Sequence, residues 1–195
     1  MLEGVESILL HMCCAPCATS PVEQLLAEGY KIGLFFSNSN IYPFEEYKKR
    51  FEASGKFSGL LGIHLEEDEY EHYKWLEHIR GLEQEPEKGK RCSRCFAYSL
   101  QRTAFMATKL GYSHFSTTLT LGPHKVSRMI FAEGERYPNY IPFDFKKKDG
   151  YKRSLELSAE YDIYRQNYCG CEFSLRDREI YLEKKSGEFL KSNKG

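Results

Sequence analysis

The stretch that decides the fold is an apolar run at residues 8–10 followed by HMCCAPC at residues 11–17. An apolar run that stops abruptly at thiols and a proline is typical of a buried strand that ends in a turn. Ser20, Pro21 and Glu23 then have the order of an N-cap, a first helical residue and the far half of a capping box. We therefore expect thiols at the carboxyl end of a strand and beside a helix N-terminus. Open α/β sheets bind ligands at that position, and the helix end favours the thiolate.

The rest of the chain alternates between short apolar runs and amphipathic segments, which predicts an α/β fold. Because the first elements follow the order βαβαβ, we expect right-handed crossovers, a parallel sheet and three layers, αβα. One domain is predicted over residues 1–182, and a polar, at least partly disordered tail over 183–195. Strands are predicted at 6–11, 31–37, 63–66, 114–118 and 140–143, and helices at 21–28, 44–62, 69–79, 96–110, 125–132 and 154–161.

The composition bounds the class of protein. A length of 195 residues fits one domain. The mean hydropathy is −0.57 and no long apolar run is present, so no transmembrane helix is expected. The acidic residues Glu3 and Glu6 stand where a signal peptide would carry basic ones. We therefore expect a cytoplasmic protein without membrane contact.

The seven cysteines form three clusters, which is unusual for a cytoplasmic chain. A secreted disulfide scaffold would spread an even number over a short sequence, whereas clusters indicate metal or redox chemistry. Buried inert thiols are the ordinary explanation for isolated cysteines and fit clusters poorly. The clusters are Cys13, Cys14 and Cys17; Cys92 and Cys95; and Cys169 and Cys171.

The spacing of the cysteines leaves two metals open. Two thiolates from each of two segments match a four-iron cluster, and zinc accepts four thiolates as well, with Cys14, Cys17, Cys92 and Cys95 as its ligands. The third cluster differs, because a Cys-Gly-Cys disulfide closes a tight, easily reduced ring that suits delivery of two electrons. Its alternative role is to supply two further metal ligands.

Charged residues add further candidates. Asp68 and Asp144 lie at or just beyond predicted strand ends and could complete a metal site, although either could be a loop carboxylate or a cap. No Walker loop is present, which argues against nucleotide hydrolysis. Formal net charge is zero, with 28 basic and 28 acidic residues. Locally, however, a basic block and two arginines beside the second thiol cluster suggest either a solvated face or contacts to a polyanion. These are Lys146, Lys147 and Lys148, and Arg91 and Arg94.

An ordered series of motifs over about residues 8–175 resembles the epoxyqueuosine reductase family of the QueH type. The series is specific because every motif occurs in the family's order, including the three thiol clusters. Its members are LHMCCAPC at 10–17, NIYP at 40–43, GLEQEPE at 81–87, RCSRCF at 91–96, TTLT at 117–120, DFKK at 144–147 and YRQNYCGC at 164–171.

The resemblance implies both an activity and a set of roles. The family removes the epoxide oxygen of epoxyqueuosine at the wobble position of tRNA, which is the last step of queuosine synthesis. It implies a domain similar to the HUP and ATP-pyrophosphatase-like fold, an electron donor that the sequence does not identify, and a four-iron cluster without corrinoid. Cys13, Cys14, Cys92 and Cys95 are then the cluster ligands, Cys169 and Cys171 the redox-active disulfide, and Cys17, Asp68 or Asp144 candidate ligands of an additional mononuclear iron.

The same basic residues, Lys146–Lys148 with Arg91 and Arg94, are then expected to contact tRNA phosphates. Two other functions fit the thiols. One is a zinc-stabilised tRNA-binding module without catalysis, and the other is a thiol–disulfide oxidoreductase that acts on proteins. Iron and acid-labile sulfide analysis of anaerobically purified protein separates the three.

Overall fold

The centre of the protein is a parallel four-stranded sheet. The structure is a computed structural model that describes residues 6–192, with side chains described through residue 186. The strands have the order β3-β2-β1-β4, and every neighbouring pair is parallel, as predicted. They are β1 (Ser7–His11), β2 (Lys31–Phe36), β3 (Leu65–Glu67) and β4 (His114–Thr117).

Helices cover both faces of this sheet. Residues alternate along the strands, so Ile8 and Leu10 enter one buried cluster while Leu9 and Phe115 enter the other. Both faces are therefore buried, which confirms the predicted αβα layers. The helices are α1 (Ala15–Ala27), α2 (Phe44–Leu61), α3 (His72–His78), α4 (Lys90–Leu110), α5 (Ser127–Gly134), α6 (Gly150–Glu160) and α7 (Glu172–Ser192), with a 3₁₀ turn at Thr118–Leu121.

The start of α1 differs from the prediction. The helix begins at Ala15, with Cys14 as its N-cap, and Pro21 lies inside it. Pro16 lies in the first turn, where backbone N–H groups have no partner within the helix, so a proline there costs no hydrogen bond. In the sequence Pro16 and Pro21 therefore both indicate a helix start, and the actual start is the earlier one. Cys17 therefore lies in the first turn of α1. In the same way α4 begins at Lys90 rather than near residue 96, which places both of its thiols in the first two turns.

The predicted fifth strand at 140–143 is wrong for the described part of the chain. Tyr140 forms only an isolated bridge with Phe115. The N–H of Ile141 donates to the carbonyl of Phe115 at 2.9 Å. The carbonyl of Ile141, however, accepts from the Phe143 N–H at 3.0 Å and from the Ser116 hydroxyl at 2.8 Å rather than from a backbone N–H of β4, so the ladder does not extend.

The last helix crosses the predicted boundary between domain and tail. Helix α7 runs from Glu172 to Ser192 and so passes through residue 183. Residues 193–195 lie outside the described residues, and the division into domain and tail stays a prediction. None of the helices within residues 6–192 has the length and apolar character needed to span a bilayer.

Candidate metal and redox site

Three thiols meet where β1 ends and α1 begins. The Sγ atoms of Cys13, Cys14 and Cys17 all lie within 4.8 Å of one another. Cys13 and Cys14 are buried and Cys17 is half-buried. Cys14 has an extended backbone, with φ −174°, and one helical turn brings Cys17 back to its side. Within residues 6–192 this is the one group of three or more His, Cys, Asp or Glu residues close enough to share a metal ion.

Hydrogen-bond donors from other elements face these sulfurs. The hydroxyl of Thr118, in the 3₁₀ turn after β4, donates to Cys13 Sγ at 3.4 Å and accepts from the Cys13 N–H at 3.2 Å. Nε2 of Gln166 donates to Cys14 Sγ at 2.8 Å. Such donors stabilise negatively charged sulfur. The chain therefore surrounds the three thiols with groups suited to thiolate ligands.

The pKa values of the three thiols are shifted in different directions. Hydrogen bonds from Cys14 and Cys17 hold the pKa of Cys13 well below its ordinary value, and Lys125 and Thr118 lower it further. Burial raises the pKa of Cys14 to about 12, and the hydrogen bond to Cys13 raises the pKa of Cys17 well above its ordinary value. Of the three thiols, Cys13 is therefore the one at which the thiolate is favoured, with its two neighbours as hydrogen-bond donors.

A second group of thiols is assembled from two distant segments. Cys92 and Cys95 from the start of α4 line one cavity together with Cys169 and Cys171. All seven cysteines are free thiols. Burial raises the pKa of Cys169 to about 11. Burial also raises the pKa of Cys95 well above its ordinary value, and the nearby Cys169 and Cys171 add to this increase. Burial thus acts against the thiolate at Cys95 and Cys169, whereas hydrogen bonds favour it at Cys13.

A buried arginine fixes the Cys-Gly-Cys turn. Arg50, on α2, donates from Nη1 to the carbonyl of Cys169 at 3.0 Å and from Nη2 to the carbonyl of Tyr168 at 3.3 Å. Its Nε bonds Glu46 at 2.8 Å, which neutralises the charge. Gly170 has φ +143°, and a Cβ there would lie 3.2 Å from Nη1. The glycine therefore provides both the backbone conformation and the room that the guanidinium needs.

One lysine lies between the two thiol groups. Lys125 lines both the cavity of the second group and a larger one, of about 680 Å³, that Cys13, Cys17 and Cys169 also line. Burial opposes the charge of Lys125, but Cys13 and Cys169 outweigh it and raise its pKa. A cation is thus held beside both groups.

The predicted ligand set remains a prediction. The structure places Cys13 and Cys14 in a compact group with Cys17, and it places Cys92 and Cys95 beside the Cys-Gly-Cys turn. The two aspartates do not join either group. Asp68 is a saturated acceptor, since Arg102, the Ser37 hydroxyl and its neighbouring backbone N–H all donate to it.

Asp144 accepts from the Ser127 hydroxyl at 3.0 Å, at the start of α5, and behaves as a loop carboxylate there. The role of Asp68 or Asp144 as a metal ligand therefore stays a prediction, and in this structure both carboxylates are engaged by other side chains.

The predicted phosphate contacts fall into two classes. Arg91 is buried, donates to the carbonyls of Glu83 and Glu85 and stacks on Phe173, so its predicted role at the surface is wrong. The loop that contains Glu83 and Glu85 has no helix or strand to bond its carbonyls and therefore needs donors such as Arg91. The sequence pattern did not indicate this role. Lys147, Lys148 and Arg94 are exposed. Nζ of Lys146 donates to the carbonyl of Lys125 at 2.6 Å.

Four residues of the site were not predicted from the sequence. Gln166 lies inside the YRQNYCGC motif, which could have drawn attention to it. Thr118 and Lys125 follow β4 at the same edge of the sheet as the thiols, a position that the topology could have indicated. Arg50 gave no signal, because an arginine in the middle of a charged helix is ordinarily exposed.

The fold and the site together define a class of protein. The structure is similar to the U34-tRNA thiolase NcsA from Methanococcus maripaludis with its [4Fe-4S] cluster, at a TM-score of 0.55 and 15% identity, over 94% of this chain and 68% of that one. At this identity the likeness shows the fold, which is ATP-pyrophosphatase-like as expected. The protein is an α/β domain of that fold with free thiols gathered at the carboxyl edge of its sheet.

The sequence comparisons identify the family. The profile described as Epoxyqueuosine reductase QueH matches residues 8–177. The chain is 42% identical to epoxyqueuosine reductase QueH of Streptococcus pyogenes serotype M1, over 90% of this chain and 73% of the relative. It is 37% identical to epoxyqueuosine reductase QueH of Thermotoga maritima, over 93% of this chain and 98% of the relative. The chain therefore belongs to the epoxyqueuosine reductase QueH family, an oxidoreductase family, as the motifs predicted.

Proposed function

We propose that this chain removes the epoxide oxygen of epoxyqueuosine in tRNA and leaves queuosine, with an iron–sulfur cluster and a cysteine pair as its redox groups. The observation that carries the proposal is the convergence of seven free thiols at one edge of the sheet, in a chain of this family. The two other functions considered from the sequence lack a comparable observation.

The donor set fits an iron–sulfur cluster. Thiolates are the ligands that such clusters require, and hydrogen bonds to sulfur adjust their potential. Thr118 and Gln166 supply hydrogen bonds of this kind. We propose that Cys13, Cys14, Cys92 and Cys95 hold the cluster, and that Cys17, within 4.8 Å of the first two, binds an additional iron. When bound, the cluster supplies electrons one at a time.

The cysteine pair accounts for the stoichiometry of the reaction. Oxidation of the Cys169 and Cys171 thiols to a disulfide releases two electrons and two protons. Removal of the epoxide oxygen consumes both: the two C–O bonds of the ring break, a C=C bond forms and the oxygen leaves as water. An external reductant then returns the disulfide to two thiols. The free thiols and the high pKa of Cys169 suit a pair that delivers protons with its electrons.

The remaining residues of the site position the cysteine pair and stabilise charge that develops on the substrate. The ammonium of Lys125, beside Cys13 and Cys169, is placed to stabilise negative charge on the departing oxygen. Arg50 holds the turn through two carbonyls, so the pair keeps its orientation toward the cavity. The apolar wall that Trp75, Phe96 and Met129 form beside these thiols limits the access of water.

Anaerobic incubation with epoxyqueuosine-bearing tRNA and a chemical reductant tests the function. Nucleoside mass analysis should show the loss of one oxygen, with the substitution Cys169→Ser as the inactive control. A brown protein with iron and acid-labile sulfide agrees with the proposal. Colourless protein with stoichiometric zinc would favour the tRNA-binding module, and protein with neither metal would favour the thiol–disulfide oxidoreductase.

A further inference from the structure

The large cavity beside the thiols is shared with α7. Its volume of about 680 Å³ lies within the range of small-molecule sites and leaves room for a nucleoside. The buried Cys13 and the half-buried Cys17 and Cys169 line it, and so do Arg178 and the exposed Tyr181 of α7. One cavity therefore joins the thiols to the surface of this helix.

One face of α7 continues the wall of the cavity. Ser174, Arg178 and Tyr181 line it at spacings of four and three residues, which places them on the same side of a helix. Lys185, four residues after Tyr181, extends this side outward and is exposed. Arg178, Tyr181 and Lys185 form what we call the α7 face, which offers two cations separated by an aromatic ring.

The groups of the α7 face are available to a ligand. The ring of Tyr181 is 61% exposed although it lies at the rim of a cavity. Arg178 has no ion pair or hydrogen bond to the side chains that the structure describes. Two acidic residues also line the cavity: Asp177, which Arg176 bonds at 3.2 Å, and Glu87, which is exposed. Arg165, a further lining residue, donates one N–H to the Ser158 hydroxyl at 3.0 Å.

An unsatisfied polar atom inside the cavity indicates a ligand. Oε1 of Gln166 is buried and lacks a hydrogen-bond partner among the described residues, while Nε2 of the same side chain donates to Cys14. A buried acceptor without a partner is unfavourable, so native structures keep few of them without a role. A donor group of a bound nucleoside, an N–H or a hydroxyl, would satisfy this atom.

We infer that the α7 face and Arg165 dock the anticodon loop of tRNA, and that the wobble nucleoside enters the cavity to reach Gln166. This inference rests on the proposed function and assigns its substrate surface. Single-stranded loops are recognised by stacking of splayed bases on aromatic rings and by cations on the phosphates, which is the chemistry that this face presents. Lys146–Lys148, the basic block of the sequence, does not line this cavity.

Removal of single groups from the α7 face tests the inference in the full-length holoprotein. Tyr181→Ala should weaken binding of an anticodon stem-loop roughly 5–150-fold, the range for loss of one base–aromatic stack. Arg178→Gln and Arg165→Gln should each reduce the slope of log affinity against log salt by roughly 0.7, the value for one lost phosphate contact to a single strand. Lys109→Gln is the matched control. Lys109 is exposed near the end of α4, which leads into the amino end of β4, whereas the thiols lie at the carboxyl ends of the strands.

A complete result includes turnover and metal content. We expect Arg178→Gln to raise KM for tRNA with little change in kcat, while iron content and visible absorption stay at wild-type levels. Unchanged affinity and salt slope in all three variants would overturn the inference. A loss of tRNA affinity confined to Lys147→Gln and Lys148→Gln would also overturn it. So would variants of the α7 face that lose turnover with a protein reductant but not with a chemical one, because the α7 face would then dock the electron donor. Wild-type protein that binds tRNA but never converts it would refute the proposed function alone.

Discussion

The two thiol groups of this protein are built in different ways. Cys13, Cys14 and Cys17 come from one short segment, where a strand end and a helix start fix them locally. The second group joins Cys92 and Cys95 of α4 to the Cys-Gly-Cys turn before α7, and only the tertiary fold brings these segments together. Hydrogen bonds favour the thiolate at Cys13, whereas burial raises the pKa of Cys95 and Cys169 in the second group. The compact first group suits metal binding, and the pair Cys169 and Cys171, whose turn Arg50 holds from α2, suits transfer of electrons with protons.

The largest effect that separates the groups is expected at the turn. Cys169→Ser and Cys171→Ser should each reduce turnover to background, because one remaining thiol cannot form the disulfide that releases two electrons. Visible absorption and iron content should stay at wild-type levels. Loss of the absorption in either variant would reassign that cysteine as a metal ligand and erase the functional difference between the groups.

A smaller effect is expected at Arg50, which supports only the second group through the turn. Arg50→Lys keeps the charge beside Glu46 but replaces the planar guanidinium, whose three nitrogens bond Glu46 and the two carbonyls separately, by a single nitrogen on a flexible stem. We expect kcat to fall about tenfold, the equivalent of about 1.4 kcal/mol in transition-state free energy, at unchanged iron content. Arg50→Met leaves Glu46 buried and unpaired and should lower the free energy of unfolding by about 3–5 kcal/mol in urea titrations. Full turnover in Arg50→Lys would show that the turn needs no such support.

The smallest effect is expected from a pair of glycine variants. Gly170→Ala adds a Cβ at φ +143° and within 3.2 Å of Arg50, and we expect a cost of about 1–3 kcal/mol in unfolding free energy together with slower turnover. Gly29→Ala is the control, since its φ of +86° is strained as well but no atom lies within 4 Å of the new Cβ. It should lose stability in the same denaturation assay and keep its turnover. Equal turnover of the two variants would contradict a specific role of the turn.

Local patterns allowed the first group to be predicted from the sequence. The apolar run before Cys13 predicted a buried strand, and the parallel order of strands follows from the alternation of elements. The helix starts were placed too late, because a proline in the first turn and a proline inside α1 give the same signal. The second group could be expected only through the family resemblance. Nothing in the periodicity says that α4 and the end of the chain meet.

Long-range contacts explain the other differences. Arg50 and Arg91 resemble surface arginines in the sequence, yet both are buried because backbone carbonyls from remote loops need their N–H groups. Asp68 follows a strand as a metal ligand would, but Arg102, more than thirty residues later, already occupies its carboxylate.

We propose above all that Cys13 and Cys14, at the carboxyl end of β1, share one cofactor with Cys92 and Cys95 of α4. Quantification of iron and acid-labile sulfide in anaerobically purified protein, in parallel for Cys14→Ser, Cys17→Ser and Cys92→Ser, tests it directly. We predict that Cys14→Ser and Cys92→Ser lose both iron and sulfide, while Cys17→Ser keeps the sulfide. Full iron and sulfide in Cys92→Ser, with their loss in Cys17→Ser, would contradict this proposal and confine the cluster to Cys13, Cys14 and Cys17.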